Sequence, residues 1–456
     1  MKNSKEIKIV MFPWLGYGHI TPFLELGTKI AASRANVKVY LVSTLATLSS
    51  IEQKITTTAG RRSINLVPLL LPSSPGLPRS LHTTNGLPPN LMPSLKSALQ
   101  SPEAMDGFSD ILTDLSPDLI VYDFLQPWIP ALARDHGIPA VQFVTCSCTM
   151  ASVMCHYSKY PSGDRAYPFP EIQFRDYESA REVGKLLECA NDPVEREMVF
   201  RGIEESCGVV LFKGFREIEA PYIDYAGSLV SKRFIPVGPL VQEPVGPVEK
   251  RDLDIFEWLD SKERKSTVFV SFGSEYFLSR DDMDEIALGL ELSGVNFIWV
   301  VRFPKVEGEE LAGALPGWFL DRVRATGRGN IVLGWAPQAR ILGHENVGGF
   351  VSHCGWNSVM ESMTMGVPIV AMPMHLDQPV NARLVENVGV GVEVVREKDG
   401  RLLGEALAEA VRRVMVEDSG EVFRRAAAGM KARLAERKDE EIHEVVRELT
   451  ALLDKE

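Results

Sequence analysis

Gly349-Phe350-Val351-Ser352-His353-Cys354-Gly355-Trp356-Asn357-Ser358-Val359-Met360-Glu361 opens on a short apolar strand, turns through a glycine and enters a helix near Asn357. Strand, glycine turn and helix start, in that order, make one βα unit of a parallel, doubly wound sheet. The unpaired backbone N–H groups of the helix start and the positive end of its dipole form an anion site. His353, Asn357 and Ser358 add donors to it. A plainer use of the same residues is a capping box, Ser358-x-x-Glu361. Both roles hold together only if the helix start faces ligand or solvent.

The pattern repeats on either side. Thr267–Ser271, Phe297–Val301, Ile331–Leu333, Gly349–Val351 and Pro368–Met372 read as strands with helices between them. The first half carries a matching series at Ile7–Phe12, Val37–Val42, Leu119–Tyr122, Ala140–Val144 and Cys207–Phe212. Continuous apolar strands alternating with helices predict parallel sheets covered on both faces. The Pro/Gly-rich stretch 236–247 separates the series. The expected organisation is a Rossmann-like domain over residues 1–240, a linker over 241–250, a second Rossmann-like domain over 251–435 and a helix over 436–456 packing back on the first domain. Ligands of such sheets sit outside the carboxyl ends of the strands, which predicts a site in a cleft between two facing domains. Residues 72–102 and 160–175 read as loops over that cleft.

Composition narrows the class. The 456 residues are 45% hydrophobic and 24% charged, which excludes disorder and fibrous repeats. A formal net charge of −12 repels polyphosphate backbones, so nucleic acid is not the expected partner. An anionic ligand must be held by local donors. The cysteines at 146, 148, 155, 189, 207 and 354 are too sparse for a disulfide framework and suit a reducing compartment. Cys146-x-Cys148 with Cys155-His156 could suggest zinc, but no second pair completes a site. Without a signal peptide or an apolar run of membrane length, the chain reads as soluble and cytoplasmic.

Two strand ends in the first half carry proton chemistry. The turn Phe12-Pro-Trp-Leu-Gly16-Tyr-Gly18-His19-Ile-Thr21 has half of a dinucleotide fingerprint. Thr21 replaces the third glycine, and no ribose-binding acid follows the second strand, so a nicotinamide cofactor and the reductase reading are disfavoured. His19 is instead placed to take a proton from an alcohol near neutral pH. Asp123, just past the strand Leu119–Tyr122, would meet it on the same rim and fix its tautomer, or else cap the helix that follows. In the second half, Ser271-Phe-Gly273-Ser274 is a further strand-end turn suited to phosphate. Trp335 could stack on a nucleobase or plug the core, and Asp377-Gln378 suits a polyhydroxylated ligand or merely starts a loop. Asp252-x-Asp254 and Asp282-x-Asp284 sit at helix starts, where aspartate is favoured without any metal.

From Trp335 to Gln378 the sequence resembles the signature box of plant UDP-dependent glycosyltransferases: Trp-x-Pro-Gln, His-Cys-Gly-Trp-Asn-Ser-x-x-Glu, Gly-Val-Pro and Pro-x-x-x-Asp-Gln. The likeness extends over the chain to the His19 turn, the Asp123 strand end and the Phe-Gly-Ser turn. It implies the α/β GT-B fold, an inverting, metal-independent reaction, a UDP-sugar co-substrate without a resident cofactor, and a monomer. His19 would be the base and Asp123 its partner; Trp335 would stack on uracil, with Ala336 and Gln338 meeting the base. Glu361 would bind ribose; His353, Gly355, Trp356, Asn357, Ser358 and Ser274 would surround the pyrophosphate. Asp377 and Gln378 would hold the sugar, and glutamine there suggests UDP-glucose. The stretches 11–19, 81–93, 272–277 and 375–382 resemble the branch-forming subgroup, which adds sugar to the sugar of a glycoside. His375-Leu376 departs from the general family, where Trp or Phe precedes a small residue. An aglycone acceptor, another UDP-sugar (xylose, rhamnose, glucuronate) and a non-catalytic binding protein are the alternatives.

Overall fold

The computed structural model describes residues 6–55, 64–74, 76–175, 177–178, 200–242, 247–273, 276–302, 315–437 and 440–453. Contacts divide the chain into two units: Met1–Tyr167 with Leu187–Leu240 and Arg437–Glu456, and Pro168–Leu186 with Val241–Glu436. A boundary at residue 240 therefore omits one excursion, Pro168–Leu186, which belongs to the second unit.

The first unit is built on a parallel sheet of seven strands: β1 (Ile7–Phe12), β2 (Val37–Ser43), β3 (Ile64–Pro68), β4 (Leu119–Asp123), β5 (Ala140–Val144), β6 (Val209–Phe212) and β7 (Arg233–Pro236). Their order is β3-β2-β1-β4-β5-β6-β7, so the winding reverses between β1 and β4. Alternation along β1 sends Ile9 and Met11 to one face and Val10 and Phe12 to the other. Both faces are covered, which is why residues 9–12 of β1 run Ile-Val-Met-Phe without a polar residue. On the Ile9 face lie Ile20, Phe23 and Ile30 of the helix Tyr17–Ser33, joined by Ile442, Val445 and Leu449 of the helix Glu440–Leu453. On the other face Phe12 stacks on Phe108 at 4.6 Å and meets the edge of Trp128 at 5.7 Å.

The second unit has six parallel strands: β8 (Thr267–Ser271), β9 (Asn296–Val301), β10 (Gly329–Leu333), β11 (Val347–Ser352), β12 (Ile369–Ala371) and β13 (Gly391–Glu393). Their order is β10-β9-β8-β11-β12-β13, and the winding reverses between β8 and β11. The excursion is fastened here by buried charge. Arg383, in the helix Gln378–Asn387, donates to Glu178 at 2.6 Å and also to Glu393, while Arg175 reaches Glu393 at 3.2 Å. Burial pushes the Glu393 carboxyl up to about 7, against the pull of Arg383.

The expected strands all form, and three further ones appear: β3, β7 and β13. The stretch 72–102 is more than loop, since it contains the helix Met92–Leu99 and short turns of 3-10 helix at Arg79–Leu81 and Pro89–Leu91. Leu95 and Leu99 explain that helix, because they are buried against the Phe12 face. Among the described residues no helix is long and apolar enough to cross a membrane.

Candidate functional site

His19 is the third residue of the helix Tyr17–Ser33, whose N-cap is Gly16 at the end of the turn after β1. Asp123 is the last residue of β4. Because β1 and β4 are neighbours at the reversal, the two come together: His19 Nδ1 lies 2.8 Å from Asp123 Oδ2. Asp123 is fully buried, and the His19 side chain keeps 19% of its surface exposed. The other carboxylate oxygen accepts the Leu125 N–H at 3.0 Å. A carboxylate can only accept, so the pair holds the proton on Nδ1 and leaves Nε2 as the basic nitrogen. The alternative role for Asp123, capping the next helix, is not what forms, since Ile129–Asp135 starts beyond Trp128 with no side-chain cap.

Thr145, missing from the sequence reading, completes the group. Its hydroxyl lies 2.9 Å from the same His19 nitrogen. It directly follows β5, the neighbour of β4, so it stands on the same rim. A polar residue just past an apolar strand was the available signal.

The second unit repeats this geometry at its own reversal. Gly273 follows β8 and His353 follows β11. Gly273 has φ +75, and a Cβ at either Gly273 or Gly355 would come within 2.5 Å of His353 Nε2. Only glycine on both sides lets the imidazole lie between the two turns. Burial, aided by the His375 charge, pushes the His353 imidazole down to about 3. It is therefore a neutral group. The helix Trp356–Met365 starts at Gly355 with no side-chain cap, so the capping box does not form. Ser358 and Glu361 instead meet Gln338, whose Nε2 donates to the Ser358 hydroxyl at 2.9 Å and the Glu361 carboxylate at 2.7 Å.

Trp335, in the turn after β10, is 50% exposed, whereas Ala336 beside it is buried. An indole so placed is no core plug. Trp356 and Ser358 are buried, and Asn357 is half-buried in the first helical turn. Ser274 lies outside the described residues. Asp377 directly precedes the helix Gln378–Asn387. Asn381, also unforeseen, donates to Asp377 Oδ2 at 2.9 Å and to the Cys354 carbonyl at 3.0 Å, tying that carboxylate to the His353 turn. Gln378 is buried and shapes its own loop. Its Oε1 accepts the Met374 and His375 N–H groups, and its Nε2 donates to His375 Nδ1 at 2.8 Å. Leu376 has φ +56, a left-handed conformation that favours glycine.

His156 is hydrogen-bonded at both nitrogens, to the Tyr225 hydroxyl and the Arg165 carbonyl, and burial pushes the Cys148 and Cys155 thiols up. Asp282 accepts from the Ser279 hydroxyl at 2.8 Å and pairs with Arg396 at 3.2 Å. Among the described residues no group of three or more His, Cys, Asp or Glu is placed to hold a metal ion.

A family model described as UDP-glucoronosyl and UDP-glucosyl transferase matches residues 240–424. The chain is 46% identical over 454 residues to UDP-glucosyltransferase 29 of Panax ginseng, covering 99% of this chain and 98% of that one. It is 45% identical over 447 residues to beta-D-glucosyl crocetin beta-1,6-glucosyltransferase of Gardenia jasminoides, covering 97% and 98%. It is similar in structure to Glycyrrhiza uralensis UGT73P12 complexed with glycyrrhetinic acid 3-O-monoglucuronide, with a TM-score of 0.82 and 25% identity over 98% of this chain and 96% of the other.

Proposed function

The chain belongs to the UDP-glucuronosyl and UDP-glucosyl transferase family, and from that premise we propose that it moves glucose from UDP-glucose to a hydroxyl of the sugar on a plant glycoside. Its two sheets are those of the GT-B fold. The observation that carries the mechanism is the 2.8 Å contact between His19 and Asp123 at the reversal of the first sheet. His19 Nε2 takes the acceptor hydroxyl proton as the oxygen attacks the anomeric carbon of the α-linked donor. The bond from that carbon to the diphosphate oxygen breaks, UDP leaves, and a β-glycoside remains. Asp123 stabilises the imidazolium that forms.

The donor is assigned to the second unit. Trp335 stacks on uracil, Ala336 and Gln338 meet its edge, and Glu361, oriented by Gln338, takes the ribose hydroxyls. The diphosphate sits on the start of the helix Trp356–Met365 with Gly355, Trp356, Asn357, Ser358, His353 and Ser274 around it. Asp377 binds sugar hydroxyls, and Gln378 holds the loop that presents it. This reading needs no resident cofactor, no metal and no second copy of the chain, and it suits a cytoplasmic enzyme. The Gardenia jasminoides relative, named for glucosylating beta-D-glucosyl crocetin, supports a sugar hydroxyl as acceptor.

A mass-spectrometric screen of aglycones and their monoglycosides with UDP-glucose, UDP-xylose, UDP-rhamnose and UDP-glucuronate tests the proposal. Hexose should appear on monoglycosides supplied with UDP-glucose. Product from aglycones alone would overturn the acceptor assignment, and product with another donor alone would overturn the donor.

A further inference from the structure

Val270 of β8 stands beside Trp299 of β9 in the sheet, so the residues three further along, Gly273 and Arg302, leave their strands side by side. Arg302 Nη1 donates to the Gly273 carbonyl at 3.2 Å. Gly273 in turn closes on one side of the His353 ring, and Gly355, the helix cap, closes on the other. One guanidinium thus fastens the turn against which the anion cradle is assembled. The other donors named for that cradle are hydroxyls, amides, a neutral imidazole and a helix start worth about half an elementary charge. A diphosphate brings more negative charge than these partial charges offset, and the chain itself carries −12.

We propose that Arg302 is the charged positioning residue of the donor site, holding the Gly273 turn against His353 while setting a full positive charge beside the diphosphate. The inference rests on the reading that this cradle takes the diphosphate of a UDP-sugar. Arginine suits both tasks, because its planar fork bonds a carbonyl without losing its charge at any working pH.

Equilibrium binding of UDP and of uridine to the full-length protein, at several salt concentrations, separates charge from general damage. Arg302→Gln should weaken UDP on the order of 10- to 100-fold and flatten its salt dependence, with uridine unchanged. Arg302→Lys, the second variant, should retain the wild-type salt dependence, since it keeps the charge without the fork. Unchanged UDP affinity in Arg302→Gln, an equal loss for uridine and UDP, or a lost salt dependence in Arg302→Lys would each overturn the inference. Wild-type protein that bound no UDP would bring down the donor reading itself, an outcome distinct from those three.

Discussion

At Asp123 the two carboxylate oxygens are not interchangeable: Oδ1 is committed to the Leu125 N–H and Oδ2 to His19. Asp123→Asn should keep its carbonyl on Leu125 and turn its amide toward His19. The amide would donate to Nδ1 and move the imidazole proton to Nε2, which removes the base. Turnover should fall on the order of 10²–10⁴-fold in steady-state assays while UDP affinity stays near the wild-type value. A fall in UDP binding of similar size would contradict the assignment of roles. Trp335→Ala tests the donor end. Loss of one stacked base should cost about 1–3 kcal/mol of UDP binding by calorimetry, with the melting temperature held, because the indole is half exposed and supports little core. His19 and Asp123 were legible in the sequence because one follows the turn after an apolar strand and the other ends such a strand, each with a titratable side chain. Thr145 had only its place just past β5 to mark it, and Asn381 had no such mark, since a hydroxyl or amide carries no sign of what it faces.

Glu219 shows how one buried acid joins two helices. It lies in the helix Arg216–Val230, is fully buried, and accepts the Thr149 N–H at 2.9 Å and the Thr149 hydroxyl at 3.0 Å at the start of the helix Cys148–Lys159. Burial pushes its carboxyl up to about 8, against the pull of the Thr149 bonds. The folded protein then keeps a proton that the unfolded chain, with an ordinary value near 4.5, gives up. Stability from this group is complete below about pH 4.5 and falls as pH rises toward 8, by about 1.4 kcal/mol per unit. Glu219→Gln mimics the protonated acid. Its denaturation midpoint should fall less between pH 5 and 8 than that of the wild type, and equal pH slopes would contradict this account. Strands divide on a similar physical line. The interior β4, β6 and β8 are covered on both faces and announce themselves as apolar runs, while the unread β3, β7 and β13 are all sheet edges. Asn65 in β3 and Glu393 in β13 break the apolar signal that an edge strand can do without.

Across the whole molecule, what the sequence hid was which unit some segments join. Nothing in the local pattern around Glu178 announces a partner such as Arg383, about two hundred residues away, because an ion pair formed by folding leaves no periodicity. Arg383→Met would leave the Glu178 carboxylate buried without its guanidinium and Glu393 with Arg175 alone. The cost, about 3–5 kcal/mol, should lower the melting temperature on the order of 10 °C by calorimetry. An unchanged melt would show that the excursion is held by other contacts. The helix Glu440–Leu453 poses the same question for anyone recombining relatives. It comes last in the chain, yet Ile442, Val445 and Leu449 complete the core beneath β1. A chimera spliced once, near residue 240, would graft one parent's terminal helix onto the other parent's sheet. Hybrids cut a second time at Arg437, so that each sheet keeps its own closing helix, should give the higher yields of folded protein.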